Sequence, residues 1–148
     1  MAESNLRTIR GQLVASTGFN VKKIQLFDGK FTTGFRLKGF KIAPRVPTDS
    51  LEITARILTT DLPHGTNWNW DRNDEIGWAA WNVPINSRFG EFSLVDEEAI
   101  VVEDLYVDVS ATAGEVVNYW LEIEKLSFSD WKGALAMVQA RSQAALPE

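Results

Sequence analysis

Alternation of apolar and polar residues, the two-residue period of a strand with one buried face, runs through the chain from Leu6 to Ile123. The longest clean example is Val117–Glu124, in which Val, Tyr, Leu and Ile alternate with Asn, Trp and Glu. Gly and Pro residues separate such segments, which is typical of strands joined by turns. The other predicted strands are Leu6–Ala15, Val21–Phe27, Lys30–Leu37 with its continuation to Ile42, Leu51–Ile57, Ile76–Val83, Glu91–Val95 and Leu105–Val109.

Asp28-Gly29 is the clearest turn signal in the sequence. The dipeptide separates the alternating segments Val21–Phe27 and Lys30–Leu37, and a type I′ turn requires positive φ at both central positions. The pattern therefore predicts a β-hairpin whose register pairs Leu26 with Phe31.

The alternation slips by one residue at Lys38-Gly39 and resumes at Phe40 and Ile42. A glycine at such a change of phase favours a β-bulge. We therefore expect one long strand that carries a bulge.

The period changes near the C-terminus. Ser129 is a suitable N-cap, Asp130 suits a first helical turn, and Trp131 and Leu135 begin an apolar helical stripe. A short helix is predicted over residues 130–145. The expected fold is all-β: an antiparallel sandwich, a single jelly roll of about eight strands with this helix, in one domain over residues 1–148.

Charge is distributed unevenly along the 148 residues. Residues 1–60 contain ten Lys and Arg against four Asp and Glu, whereas residues 61–148 contain five against sixteen. This asymmetry favours head-to-tail contacts between copies, or a basic face toward nucleic acid, unless strands of the two halves interleave and average it out. Phenylalanines on the basic hairpin could stack bases, but core packing is the favoured interpretation for them.

No catalytic constellation is evident. The chain has no cysteine, its single histidine, His64, lies in a loop without a nucleophile-elbow motif, and its glycines are scattered singly. Asp71, Asn73 and Glu75 alternate like calcium ligands, but the glycine and distal acid of an EF-hand are missing. We therefore predict neither an enzyme, nor a cofactor, nor a metal site.

The most unusual segment is Asn67–Glu75, which contains Trp68, Trp70 and Arg72. In an extended segment the two indoles face the same way, and coplanar exposed rings make platforms for sugar rings. The favoured interpretation is packing or a subunit interface, because Trp and Arg are enriched in interface cores. The predicted interface or ligand residues are Trp68, Trp70, Arg72, Trp78, Trp81 and, from the terminal helix, Trp131.

The segments Glu103–Val109 and Gly114–Glu124 resemble the closing strand pair of small single-jelly-roll virion proteins of bacteriophages. The absence of cysteine, the Asp-Gly turn and the short terminal helix fit the same family. The resemblance implies a capsid or capsid-associated subunit without catalytic residues, whose contacts are spread over loops and edges. It leaves open whether such a protein is a shell, minor vertex or decoration subunit.

The expected function is therefore a structural virion protein that associates with itself and with other shell proteins. The alternative is a carbohydrate-binding module or phage adhesin domain that uses the Trp-rich segment. No apolar run approaches the roughly 20 residues needed to span a bilayer, and the polar N-terminus lacks the apolar core of a signal peptide. We therefore expect assembly in the host cytoplasm and a final location in the virion.

Overall fold

The computed structural model describes residues 5–15, 21–27, 29, 32–48, 52–61, 67–82, 90–127 and 135. These residues form nine strands and no continuous helix. The predicted helix over residues 130–145 and Trp131 lie outside the described residues, apart from Leu135. The strands are β1 (Leu6–Val14), β2 (Val21–Ile24), β3 (Thr33–Pro44), β4 (Glu52–Leu58), β5 (Glu75–Asn82), β6 (Gly90–Val95), β7 (Ile100–Val101), β8 (Leu105–Ser110) and β9 (Val116–Ser127).

Two antiparallel sheets pack face to face as a sandwich, as the alternation predicts. The first sheet has the strand order β1-β9-β3-β7, and the second has the order β2-β8-β4-β5-β6. The first four strands enter the two sheets in turn, and the last strand, β9, lies between β1 and β3. Strands that are distant in sequence therefore hold the fold together.

The predicted hairpin around Asp28-Gly29 is wrong. β2 pairs with β8 in the second sheet, whereas β3 pairs with β9 and β7 in the first. Gly29 has the positive φ of 84° that the turn signal requires, but the chain passes there from one sheet to the other. An Asp-Gly signal specifies a change of chain direction, and the partner of each strand is chosen by contacts elsewhere.

The predicted bulge is confirmed. The register of β3 against β9 shifts between Leu37 and Gly39. Because of this extra residue, Leu37 and Phe40 both point into the core, although they are three positions apart.

The core lies between the two sheets and consists of the inward-facing residues of each strand. The two sheets pack closely at Gly77 of β5, where an added Cβ would lie 2.8 Å from the Leu37 side chain of the opposite sheet. The principal core residues are Leu37, Phe40, Ile42, Ile53, Ile57, Leu105, Val107, Val109, Val117, Leu121 and Ile123.

Strand pairing cancels part of the charge asymmetry of the sequence. Basic β3 lies beside acidic β9, and Arg36 on the former contacts Glu124 on the latter at 3.2 Å. Further pairs of this kind join Lys23 to Asp104 at 3.3 Å and Lys38 to Glu97 at 3.0 Å. The two halves of the chain therefore interleave, which is the arrangement that averages the charge. Within the described ranges, no helix is both long and apolar enough to cross a membrane.

Candidate binding surfaces

A buried charge cluster lies on the outer face of the second sheet. The side chain of Arg56 on β4 is 2% exposed, and its Nε donates to Oδ2 of Asp108 on β8 at 3.0 Å. Arg56 Nη2 also contacts Asp108 Oδ2, and its Nη1 lies 3.6 Å from Oε2 of Glu75. Charges are rarely found this deeply buried on the outside of a sheet unless something covers them.

The Trp-rich segment supplies that cover. The carbonyl of Asn67 accepts a 2.7 Å hydrogen bond from Arg56 Nη1. Glu75 accepts from the Asn69 amide at 2.8 Å, from Asn69 Nδ2 at 3.0 Å and from Trp78 Nε1 at 3.2 Å. Four elements of the surface (the segment, β4, β5 and β8) are thereby connected through Arg56 and Glu75.

Asp74 stabilises the C-terminal end of the Trp-rich segment through hydrogen bonds. Its carboxylate is fully buried and accepts from Arg72 Nε at 3.1 Å and from Arg72 Nη2 at 3.2 Å, a two-point contact. Thr60 Oγ1 donates to it at 3.1 Å, and the Thr59 amide donates to the Asp74 carbonyl at 2.9 Å. Arg72, predicted as a contact residue, therefore holds the segment in place.

The structure divides the predicted tryptophans between two faces. Trp68 and Trp70 lie over the outer face of the second sheet, where Trp68 stacks on Phe92 with centroids 5.6 Å apart and Trp70 meets Trp78 edge-on at 5.9 Å. Trp78 is buried beneath them. Trp81 lies three positions further along β5, on the opposite side, and packs against the core. Strand alternation makes this separation necessary.

Three exposed apolar side chains remain together on that outer face, and we call them the indole patch: Trp70, Phe92 and Leu94. Their exposed fractions are 61%, 41% and 43%. Leu94 is paired with Trp78 across the β5–β6 register, so the patch continues the cluster formed by the Trp-rich segment. Trp70 is one of the contact residues predicted from the sequence, whereas Phe92 and Leu94 are not.

A second exposed indole, Trp120, lies at the centre of the outer face of the first sheet and was not predicted as a site residue. It is 40% exposed on β9 and is paired with Arg10 on β1 and Lys41 on β3. The guanidinium of Arg10 lies 5.5 Å from the indole centroid, within the range of a cation–π contact. The available signal was a tryptophan at a polar-face position of the longest alternating segment.

Asp104 stabilises the chain where it leaves β2. Its Oδ1 accepts hydrogen bonds from the amides of Leu26 at 2.8 Å and Phe27 at 2.9 Å, and its Oδ2 lies 3.3 Å from Lys23 Nζ. Burial alone would raise the pKa of this carboxyl, but the two amides and Lys23 outweigh burial and hold the pKa below its ordinary value. The contact is structural in character.

Among the described residues, no group of three or more His, Asp or Glu side chains is arranged to hold a metal ion. His64 lies outside those residues. No protein-family model and no curated protein matches the chain.

Proposed function

We propose that this chain is a structural subunit of a virion, a capsid, minor capsid or decoration protein, that assembles through the indole patch. The observation that carries the proposal is the grouping of Trp70, Phe92 and Leu94, three large apolar side chains that are each more than two-fifths exposed. Contiguous apolar side chains at a surface mark interaction sites. Tryptophan and phenylalanine are also enriched in interfaces.

The position of the patch at a sheet edge supports the same proposal. In the part of the chain that the structure describes, β5 is the only strand paired with β6. Proteins protect exposed edges with lysine, proline or bulges. The sequence of β6, Gly-Glu-Phe-Ser-Leu-Val, contains neither lysine nor proline, and its register with β5 is continuous. Its one charged residue is Glu91, and its Ser93 Oγ donates to the Phe40 carbonyl of β3. Such an edge suits a partner in an assembly.

The buried cluster beneath the patch favours binding with little rearrangement. Arg56 and Glu75 fix the backbone at Asn67 and Asn69, so the segment that carries Trp70 is held by charge-assisted hydrogen bonds. A contact surface that is already ordered loses less conformational entropy when it binds.

The virion assignment itself rests on the resemblance and on the strand order. The alternate entry of strands into two sheets, with β9 between β1 and β3, supports a single jelly roll with β6 as an additional edge strand. Stable interfaces bury roughly 800 Å² on each partner, more than three partly exposed side chains supply. A closed shell compensates by combining many weak contacts.

Sedimentation velocity over a range of concentrations, combined with negative-stain electron microscopy, tests the proposal. Leu94→Asp places a charge in the patch and is expected to abolish oligomers or particles that the wild-type protein forms. Val46→Asp is the matched control, since Val46 is 45% exposed in the turn after β3 and is not one of the three patch residues. A wild-type protein that remains monomeric at high concentration, or equal assembly by both variants, would refute the proposal.

The alternative, a carbohydrate-binding module that uses the Trp-rich segment, is supported by the exposure of Trp70. The segment offers this one largely exposed indole, because Trp78 is buried and Trp68 is half-buried against Phe92. Trp70→Ala would then remove glycan binding and leave the melting temperature nearly unchanged. A glycan array on which the wild-type protein binds nothing would exclude this function for the segment.

A further inference from the structure

The outer face of the first sheet carries an ordered row of functional groups around Trp120. Arg10, Trp120 and Lys41 are register neighbours on β1, β9 and β3. With strands about 4.8 Å apart, the two cations start from backbones about 10 Å apart, on opposite sides of the indole. In the next row, Gln12 Nε2 donates to Asn118 Oδ1 at 2.9 Å.

A cleft of about 690 Å³ opens on the β3 side of this indole. Gly39 follows Lys38, the unpaired residue of the bulge, and leaves space beside Glu122. Even an added Cβ at this position would be 3.5 Å from the Glu122 side chain. Bulges commonly redirect side chains beside binding sites. The volume is in the range of small-molecule clefts. The cleft is lined by Lys38, Gly39, Phe40, Lys41, Ser93, Trp120 and Glu122.

Among the described residues, some charges of this face form no ion pair. Lys38 pairs with Glu97, but neither Arg10 nor Lys41 forms an ion pair with another described residue. Both are exposed. Two cations beside an aromatic ring favour a ligand that has both an apolar face and a negative charge.

We propose that the Trp120 cleft binds an acidic saccharide, a sugar residue that carries a carboxylate. The apolar face of the sugar ring would pack on the indole, and the carboxylate would accept hydrogen bonds from Lys41 or Arg10. The hydroxyl groups would be bound by Glu122 in the cleft. A longer saccharide would also reach the Gln12–Asn118 amide pair, which lines an adjoining cavity of about 490 Å³ together with Arg10. The site centres on Trp120 of the first sheet, whereas the indole patch lies on the outer face of the second, and the cleft reaches β6 only through Ser93.

Glu122 distinguishes this ligand from single-stranded nucleic acid. A carboxylate in the cleft accepts hydrogen bonds from the several free hydroxyls of a saccharide, whereas a nucleic-acid strand has few free sugar hydroxyls to donate. Nucleic-acid channels also present several stacking rings along a positively charged groove. Trp120 is the one large exposed aromatic side chain among the described residues of this sheet.

The experiment is isothermal titration of the full chain with tri-galacturonate and with 3′-sialyllactose. The neutral controls are the methyl esters of tri-galacturonate and of 3′-sialyllactose, which keep the ring skeletons and lack the charge. At least one acidic sugar is expected to bind with a dissociation constant on the order of 1 mM or tighter. Its neutral counterpart is expected to bind roughly tenfold more weakly, because one charge-assisted hydrogen bond is lost.

Two variants connect binding to the cleft. Trp120→Ala and Lys41→Ala are each expected to lower the affinity for the acidic sugar roughly tenfold. Lys125→Ala, which removes an exposed lysine elsewhere on β9, should leave this affinity unchanged. Circular dichroism melts would show that both cleft variants remain folded, as expected for side chains that are exposed.

Four results would overturn the proposal: no binding of either acidic sugar by 10 mM, equal binding of acidic and neutral forms, wild-type affinity in both cleft variants, or tight binding of a single-stranded oligonucleotide in place of the sugars.

Discussion

Removal of the Arg56 guanidinium tests whether this cation stabilises the fold by compensating the buried carboxylates of Asp108 and Glu75. Arg56→Met preserves much of the side-chain volume but leaves the carboxylates of Asp108 and Glu75 without their cation. Both carboxylates are almost fully buried, and the Asn67 carbonyl loses its 2.7 Å donor.

Removal of one member of a buried ion pair typically costs 3–5 kcal/mol, so we expect Arg56→Met to lower the free energy of unfolding by about 4 kcal/mol. For a domain of this size, that corresponds to a fall in melting temperature of about 8–16 °C. The same loss would move the urea midpoint by about 2 M.

Urea unfolding, followed by tryptophan fluorescence, measures the effect. Arg45→Met is the control, because Arg45 is exposed and makes no ion pair with the described residues. It should change stability by less than about 0.5 kcal/mol. A loss below about 1 kcal/mol for Arg56→Met would refute the reasoning, since it would mean that the carboxylates are hydrated.

The double variant Arg56→Met/Asp108→Leu separates an unpaired charge from lost packing. It removes the pair and leaves Glu75 with its three hydrogen-bond donors, Asn69 N, Asn69 Nδ2 and Trp78 Nε1. Apolar replacement of a buried pair is often close to neutral, so at least about 2 kcal/mol of the single-variant loss should be recovered. A double variant that is less stable than Arg56→Met would contradict this explanation.

Two other substitutions give independent tests. Asp104→Ala removes the acceptor of two amides and should cost about 2 kcal/mol at pH 7. Because the folded-state pKa of Asp104 lies below its ordinary 3.8, its stabilisation is present above that value and is lost as pH falls through the folded pKa. The difference between wild type and Asp104→Ala in urea titrations should therefore shrink below about pH 4, and a constant difference down to pH 2 would contradict the assignment. Gly77→Ala should cost about 1–3 kcal/mol in thermal unfolding, because the new methyl meets Leu37 at 2.8 Å. Gly90→Ala, whose nearest neighbour is 3.8 Å away, should cost less, and equal losses would count against tight packing at Gly77.

The two-residue alternation of apolar and polar residues, together with the Gly and Pro residues between segments, predicts most of the strands. The alternation from Leu6 to Ala15 corresponds to β1, and the alternation from Val117 onward corresponds to β9. The glycine at position 39 predicts the bulge because a change of phase is local information. β7 is missed because its two residues are too few to show a period.

Strand partners are not local information, which explains the error at Asp28-Gly29. Alternation specifies which side chains face inward but does not specify the neighbouring strand. In the structure, the Asp104 carboxylate binds the amides of Leu26 and Phe27 near the start of β8, although these residues are 78 and 77 positions away along the chain. No feature next to the turn contains that information.

In the candidate site, too, local features could be predicted from the sequence, whereas contacts between distant segments could not. Trp68 and Trp70 could be predicted as unusual surface residues, and the opposite orientations of Trp78 and Trp81 follow from their spacing of three within a strand. The indole patch could not be predicted, because Phe92 and Leu94 join Trp70 only through the pairing of β6 with β5. Arg56 stands out in the sequence as a charged residue within a mostly apolar strand. Its partner Asp108 could not be predicted, because it is 52 residues away along the chain.

Protection of a single thiol in the patch tests the central claim of assembly most directly. The chain has no cysteine, so Leu94→Cys and Thr48→Cys each introduce one exposed thiol, in the patch and in the turn after β3 respectively. We predict that maleimide labels the thiol at position 94 at least tenfold more slowly in assembled material than in monomer, while the thiol at position 48 reacts at similar rates in both. Equal labelling of both positions, before and after assembly, would contradict the claim that the indole patch is the contact surface.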